Sequence, residues 1–122
     1  MPTRPLDAPG TAPETLSRAV ERVAVTPSTG GTAIAAGTLF VSDTDTHRIL
    51  RIAPDGTVSS LIEDPRLLWV DAMWIDATGR LWMPAAQINR LALFRGGTSR
   101  MRYPVEVHTL QVGAEPPPND HR

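Results

Sequence analysis

Asp43-Thr44-Asp45-Thr46-His47 places oxygen-bearing side chains at alternate positions, as a calcium loop does. Such a loop also needs Gly at its sixth position and Glu at its twelfth, where this sequence has Arg48 and Pro54. A polar turn with local pairing of Asp43 and Arg48 is the better reading, worth little energetically if exposed. A second candidate lies in LLWVDAMWIDATGRLWMPAAQINR, residues 67–90, which holds all three tryptophans of the chain within fourteen positions. Trp69 and Asp71 offer an aromatic ring and a carboxylate two residues apart, a combination suited to a small cation or amine. His47, His108 and His121 fall in turn, strand and tail contexts, so neither a triad nor a three-His metal site is expected. There is no GxSxG, HExxH or CxxC, and GGTSR at 96–100 lacks the GK[ST] ending of a phosphate loop.

Composition bounds what these residues can serve. The 122 residues suffice for one small domain with one modest core, and 41% hydrophobic content is ordinary for a soluble globular protein. Twelve Lys and Arg against thirteen Asp and Glu leave a net charge of -1, with no like-charge block to grip phosphates or a membrane surface. Nucleic acid and membranes are therefore not expected partners. The absence of Cys removes disulfides and thiolate chemistry. No apolar run reaches the roughly 20 residues of a membrane span, and the first residues lack the apolar segment of a signal peptide.

The elements that must position the candidates are mostly strands. Residues 1–10 and the Pro-rich residues 113–122 read as disordered tails. Thr11 and Glu14 fit a capping box that opens a short helix over about residues 12–20, leading through an extended stretch to residue 28. After Pro27 come short runs rich in β-branched and aromatic residues, punctuated by turn signals. Pro54-Asp55-Gly56 predicts a hairpin between RILRIA and TVSSLI, and Asp76-Ala77-Thr78-Gly79 predicts the same device one unit later. Sliding the chain on itself matches Gly37, Leu39, Phe40, Val41 and Arg48 to Gly79, Leu81, Trp82, Met83 and Arg90 at an offset of 42 (79 minus 37). That period with short strands predicts β-propeller blades, one over residues 29–70 and one over 71–112. In stacked blades Trp74 and Trp82 are wall, with Trp82→Ala costing about 3 to 5 kcal/mol as a core truncation. Trp69 and Asp71 lie nearer the channel.

Residues 38–104 resemble the major royal jelly protein/Yellow family, in particular its bacterial members, and more distantly the gluconolactonase/SMP-30-like propellers. TLFVSDTDTHRILRIAPDG, EDPRLLWVDAMWID, GRLWMPAAQINR and FRGGTSRMRYPVEV carry the resemblance, which covers about half of the chain. It departs at Gly30, where the pattern leads one to expect Asp-Gly. The resemblance implies a six-bladed propeller, typically secreted, that binds small molecules. It implies that Asn89 lies near the ligand, whereas Arg90, which repeats Arg48, is structural. In the lactonase relatives an Asp at the position of Asp71 helps hold a divalent metal, Ca or Zn, whose bound water could attack a lactone carbonyl. A Glu and an Asn from other blades complete that site, and no motif here supplies them; Asp71 could instead cap the channel mouth by accepting from backbone N–H groups.

The expectation is an all-β chain of about two blades of an incomplete six-bladed propeller, with a short N-terminal helix and disordered tails. Its function would be small-molecule binding at the channel through Trp69, Asp71 and Asn89, without established catalysis and without a cofactor. Two alternatives stay open: a metal-dependent lactonase using Asp71, and an inactive truncated product. Two blades cannot close a ring of 4 to 8, so the uncovered faces and edges predict that the isolated chain self-associates. An extracellular or periplasmic location follows from the family, and a cytoplasmic one from the missing signal peptide.

Overall fold

The computed structural model describes residues 4–116. Two short helices open the chain, α1 (Arg4–Asp7) and α2 (Pro13–Ala19). Seven strands follow: β1 (Thr32–Ala35), β2 (Thr38–Asp43), β3 (Arg48–Ile52), β4 (Val58–Glu63), β5 (Trp74–Ile75), β6 (Arg80–Pro84) and β7 (Val107–Gln111). They form two antiparallel sheets, one with the order β1-β2-β3-β4 and one with the order β5-β6-β7.

Local chemistry explains the turns. Ala36 and Gly37 both take positive φ between the paired residues Ala35 and Thr38, the backbone of a two-residue hairpin loop. The expected hairpin at Pro54-Asp55-Gly56 joins β3 to β4, with Asp55 Oδ1 accepting from Thr57 N at 2.9 Å and Gly56 at φ 84. The second device joins β5 to β6, where Gly79 takes φ 74 and Asp76 Oδ1 accepts from Thr78 N at 2.8 Å. The capping box is not formed. Ala12 occupies the N-cap of α2, so Thr11 lies one residue too early and its hydroxyl donates to Ala8 O at 2.8 Å instead.

One core joins the two sheets: Ala35, Phe40 and Ile49 of the first pack against Ile75, Leu81 and Met83 of the second, with Leu67, Val70 and Met73 between them. The other face of the first sheet holds Val41, Leu50 and Ile52, and Ala24 packs on it. A Cβ on Gly56 would lie 2.9 Å from Val23 O, so the extended stretch after α2 runs tightly over the β3–β4 turn. The first sheet is thus covered on both faces. Among the described residues the second is covered on one.

The propeller expectation is overturned: the chain is an all-β domain of a four-stranded and a three-stranded sheet, with no closed or curled sheet among the described residues. The offset of 42 does place β2 on β6, but residues 90–94, where a copy of β3 should lie, form parts of two 3-10 turns, Ile88–Arg90 and Ala92–Phe94. The strand beside β6 is β7, which arrives only after the loop containing Gly96 and Gly97. The burial expectation for two tryptophans is corrected with it. Trp74 is 47% exposed and Trp82 38%, because they stand on the face of the second sheet that no other layer among the described residues covers. Of the two expected tails, residues 1–3 and 117–122 lie outside the described residues. Within the remainder, α1 forms at 4–7, and Ala114 packs partly buried on the core.

Adjacent positions on β6 separate the two faces experimentally. Leu81→Ala removes a fully buried side chain and should cost about 2 to 5 kcal/mol. Trp82→Ala removes a larger but half-exposed one and should cost less, about 1 to 2 kcal/mol. Urea melts of the two variants check the order.

Candidate functional site

The residues singled out in the sequence are placed by one backbone ladder. Residues 68–71 run antiparallel to 84–87: Gln87 N donates to Leu68 O at 3.0 Å, Ala86 N to Trp69 O at 3.1 Å, and Asp71 N to Pro84 O at 3.1 Å. Val70 between them is buried and bridges to Ala85. Trp69 takes φ 54, which interrupts the pleat that would otherwise set residues two apart on one face. The Asp71 carboxylate accepts from Ala72 N at 2.9 Å, a local cap. Asn89 sits in the Ile88–Arg90 turn, where its carbonyl accepts from Arg95 Nε at 2.8 Å and its buried Oδ1 has no hydrogen-bond partner. No hydrogen bond links the side chains of Trp69, Asp71 and Asn89.

The lactonase alternative is overturned on ligand count. Among the described residues no three His, Asp or Glu side chains converge on a possible metal position, so Asp71 lacks the companions that would make a metal site. Small-molecule binding in a propeller channel is likewise overturned, since the two sheets enclose no channel. The Asp43 loop is a structural turn. Its carboxylate accepts from Asp45 N and Thr46 N, both at 3.2 Å, from the Thr46 hydroxyl, and from Arg48 Nη2 at 2.9 Å. The local pair with Arg48 forms with the Asp43 side chain buried and the Arg48 side chain partly exposed. Burial pushes that carboxyl up, but the hydrogen bonds from Thr46, Arg48 and Asp45 outweigh it and hold it below the ordinary carboxylate range.

Gln87, of a residue type common in turns, is a structural clamp. It is buried, it takes φ 54, and its amide pairs with the backbone of Arg102, Nε2 donating to Arg102 O at 2.9 Å and Oε1 accepting from Arg102 N at 3.0 Å. Beside it opens a pocket of about 390 Å³ lined in part by Arg66, Arg102, Tyr103 and Glu106. The Arg66 guanidinium is already taken by Asp64, at 2.6 Å in its shortest contact. Hydrogen bonds from Arg66 hold the Asp64 carboxyl well below its usual range. His108 Nε2 lies 3.5 Å from Glu106 Oε2, an ion pair when protonated but too long for a good hydrogen bond, and the nitrogen is otherwise unpartnered. Two of the charges lining this pocket, Arg66 and Glu106, are thus engaged by neighbours outside it, Asp64 and His108.

The exposed face of the second sheet is the more distinctive surface. Trp74 and Trp82 stand directly opposite each other across β5 and β6, and Thr109 and Val107 of β7 continue the same face through their pairing with Trp82 and Pro84. The Trp82 indole Nε1 donates to Asp76 Oδ2 at 2.8 Å. Bonds from the Thr78 hydroxyl and from that indole keep the Asp76 carboxyl well below its usual range, so the anchor stays charged through the physiological range. Next to Trp74 an apolar groove of about 310 Å³ runs between β1 and β5, lined by Ala33, Ile34, Leu39, Met73 and Ile75. Ile34 at its lip is 52% exposed. Alternation within RLWMP shows which residues share a face but carries no signal of which face stays open.

No protein-family model and no curated protein matches the chain.

The sign of a pH effect follows from Asp43. Its folded carboxyl titrates below the unfolded value, so the stability it contributes is fully present above the ordinary carboxylate range and is lost as pH falls through the lower folded value. Urea melts from about pH 7 down to about pH 2 should show a loss beginning below about pH 4. Asp43→Asn should be less stable than wild type at neutral pH and should lack part of that acid loss.

Proposed function

We infer that the chain is a non-catalytic protein-binding β domain whose uncovered sheet face takes an apolar surface of a partner polypeptide. The observation that carries this reading is the opposed pair Trp74 and Trp82, half exposed on a face held in place by a complete core beneath it. An exposed tryptophan pair leaves a large apolar area in water, and its removal from water on contact is worth roughly 25 cal/mol per Å² before the costs of association. Tryptophan also dominates the energetics of protein interfaces out of proportion to its frequency. The polar residues around the pair, Arg80, Thr109 and Gln111, supply the rim that orients a partner. Kinship with the royal jelly/Yellow family belongs to this proposal as a matter of sequence descent, supported by the motifs of residues 38–104, and brings no ligand or reaction with it.

Photo-crosslinking tests the reading. A benzoylphenylalanine installed at position 82 should give a discrete adduct with a partner polypeptide in extracts of cells that express the chain, whereas the same group at position 14 on α2 should not. The double variant Trp74→Ala, Trp82→Ala should keep the circular dichroism of the wild type and lose at least about 30-fold in affinity for the crosslinked partner, the equivalent of about 2 kcal/mol. Equal crosslinking at both positions, or unchanged affinity of the double variant, would show that the face is inert surface.

A further inference from the structure

The two sheets are built on one repeat but differ by a strand. At the offset of 42, β2 falls on β6, and each is a central strand: β2 lies between β1 and β3, and β6 between β5 and β7. β7 therefore holds the place of β3, and no strand among the described residues holds the place of β4. Among the described residues the outer edge of β7 is unpaired where the sibling sheet has a fourth strand.

The register shows what that edge presents. Ala85 N donates to Glu106 O at 2.9 Å, and Val112 N donates to Gly79 O at 3.0 Å, so residues 106 and 112 turn their backbone groups toward β6. Hydrogen-bonded pairs alternate along an antiparallel ladder, and the five pairs from Arg80↔Gln111 to Pro84↔Val107 run without a register shift. His108 and Leu110 thus bond inward to β6. The N–H and C=O groups of Val107, Thr109 and Gln111 point out along the open edge.

β4, the corresponding edge of the first sheet, is blunted, and β7 is not. Pairing of β3 with β4 shifts register between Ile49 and Leu50, and β4 ends on the charged Glu63, both devices that discourage further pairing. The run Val107-His108-Thr109-Leu110-Gln111 has no Lys, Glu or Pro, and its outward-bonding residues are β-formers or polar. Beyond the end of β7, a groove of about 410 Å³ lies between Val112–Glu115 and the first sheet, where it is lined by Phe40, Arg51 and Leu61.

We propose that the β7 edge accepts an extended segment of the partner polypeptide as a fourth strand, a deepening that rests on the protein-binding reading above. Main-chain hydrogen bonds to Val107, Thr109 and Gln111 supply the register. Alternate side chains of the incoming strand continue the Trp82–Thr109 row on one face and meet the inter-sheet groove on the other, so the segment is one with apolar residues at alternate positions. Within this chain the segment that fills a fourth place is β4, which sets Leu61 and Ile62 against the core around the register shift of its own sheet.

A synthetic peptide copying residues 56–65 is therefore the probe, added to the intact chain, with amide hydrogen exchange as the readout. Saturable binding should slow exchange of the Val107, Thr109 and Gln111 amides by at least about tenfold and leave those of His108 and Leu110, already bonded to β6, unchanged. Thr109→Pro removes an outward N–H without touching the β6 ladder, which an edge strand tolerates, and should abolish the protection. If that variant fails to fold, the exchange pattern of the wild type decides. Unchanged exchange at peptide concentrations up to about 1 mM, a limit that already allows weak binding, overturns the proposal. So does protection that appears without peptide and grows with chain concentration, which would give the edge to a second copy. Weaker partner binding in the tryptophan double variant alongside full binding in Thr109→Pro would leave the face reading standing and remove strand addition. Full binding in both would remove both.

Discussion

A side chain on Gly30 would place its first carbon 2.4 Å from the Val70 carbonyl oxygen, and one on Gly31 would sit 2.6 Å from Ala72 N. The opposing atoms are backbone and cannot swing aside, so the two units meet along a line where neither can carry a Cβ. The buried hydroxyl of Ser42 fixes this line by accepting from Gly30 N at 3.0 Å and Gly31 N at 2.9 Å. Its effect reaches the functional face directly. Val70 and Met73, just before β5, enter the shared core only because the preceding backbone lies this close to the first sheet. Trp74, the next residue, is then left on the far side.

Coverage of the two sheets is unequal for a reason that lies in chain order. The first sheet has a segment before it, the stretch through Ala24 that lies on Val41, Leu50 and Ile52. The second sheet has nothing equivalent among the described residues. Its outer face and its β7 edge are open together, and both border the Trp82–Thr109 pairing. A partner that satisfied the edge would therefore also reach the tryptophans.

Much of the local structure was legible because it depends on side chains that act on their own backbone. Pro54-Asp55-Gly56 and Asp76 to Gly79 announced turns that form through Asx hydrogen bonds and positive φ at glycine. The Ala36-Gly37 hairpin was harder, since alanine rarely takes the positive φ it holds there. Tertiary placement was not legible. The repeat was real in β2 and β6, but no local rule marks residues 88–94 as 3-10 turns or sends the chain through a glycine loop before β7 pairs. A period of 42 is a statement about spacing and carries no information on whether sheets curl toward a ring; the described residues form no closed or curled sheet. The same limit applied to the candidate site. Trp69, Asp71 and Asn89 are close in sequence, but a positive φ and a change of element separate their roles, while Gln87 acts through a backbone segment fifteen residues away.

The disposition of charge ties these points to function. Asp43, Asp64 and Asp76 each accept several hydrogen bonds from residues within a few positions of themselves, and each is held below the ordinary carboxylate range by those bonds. A carboxylate so occupied is a poor general base, because protonating it breaks the bonds that position it. These three acidic residues are committed to shaping turns, and Asp76 also anchors Trp82. The half-exposed rings of Trp74 and Trp82 and the outward-facing amides of Val107, Thr109 and Gln111 stay in contact with water. Neither performs a reaction, and both gain from contact with another chain: the rings lose water, and the amides exchange water for carbonyls in a row whose spacing only an extended polypeptide matches.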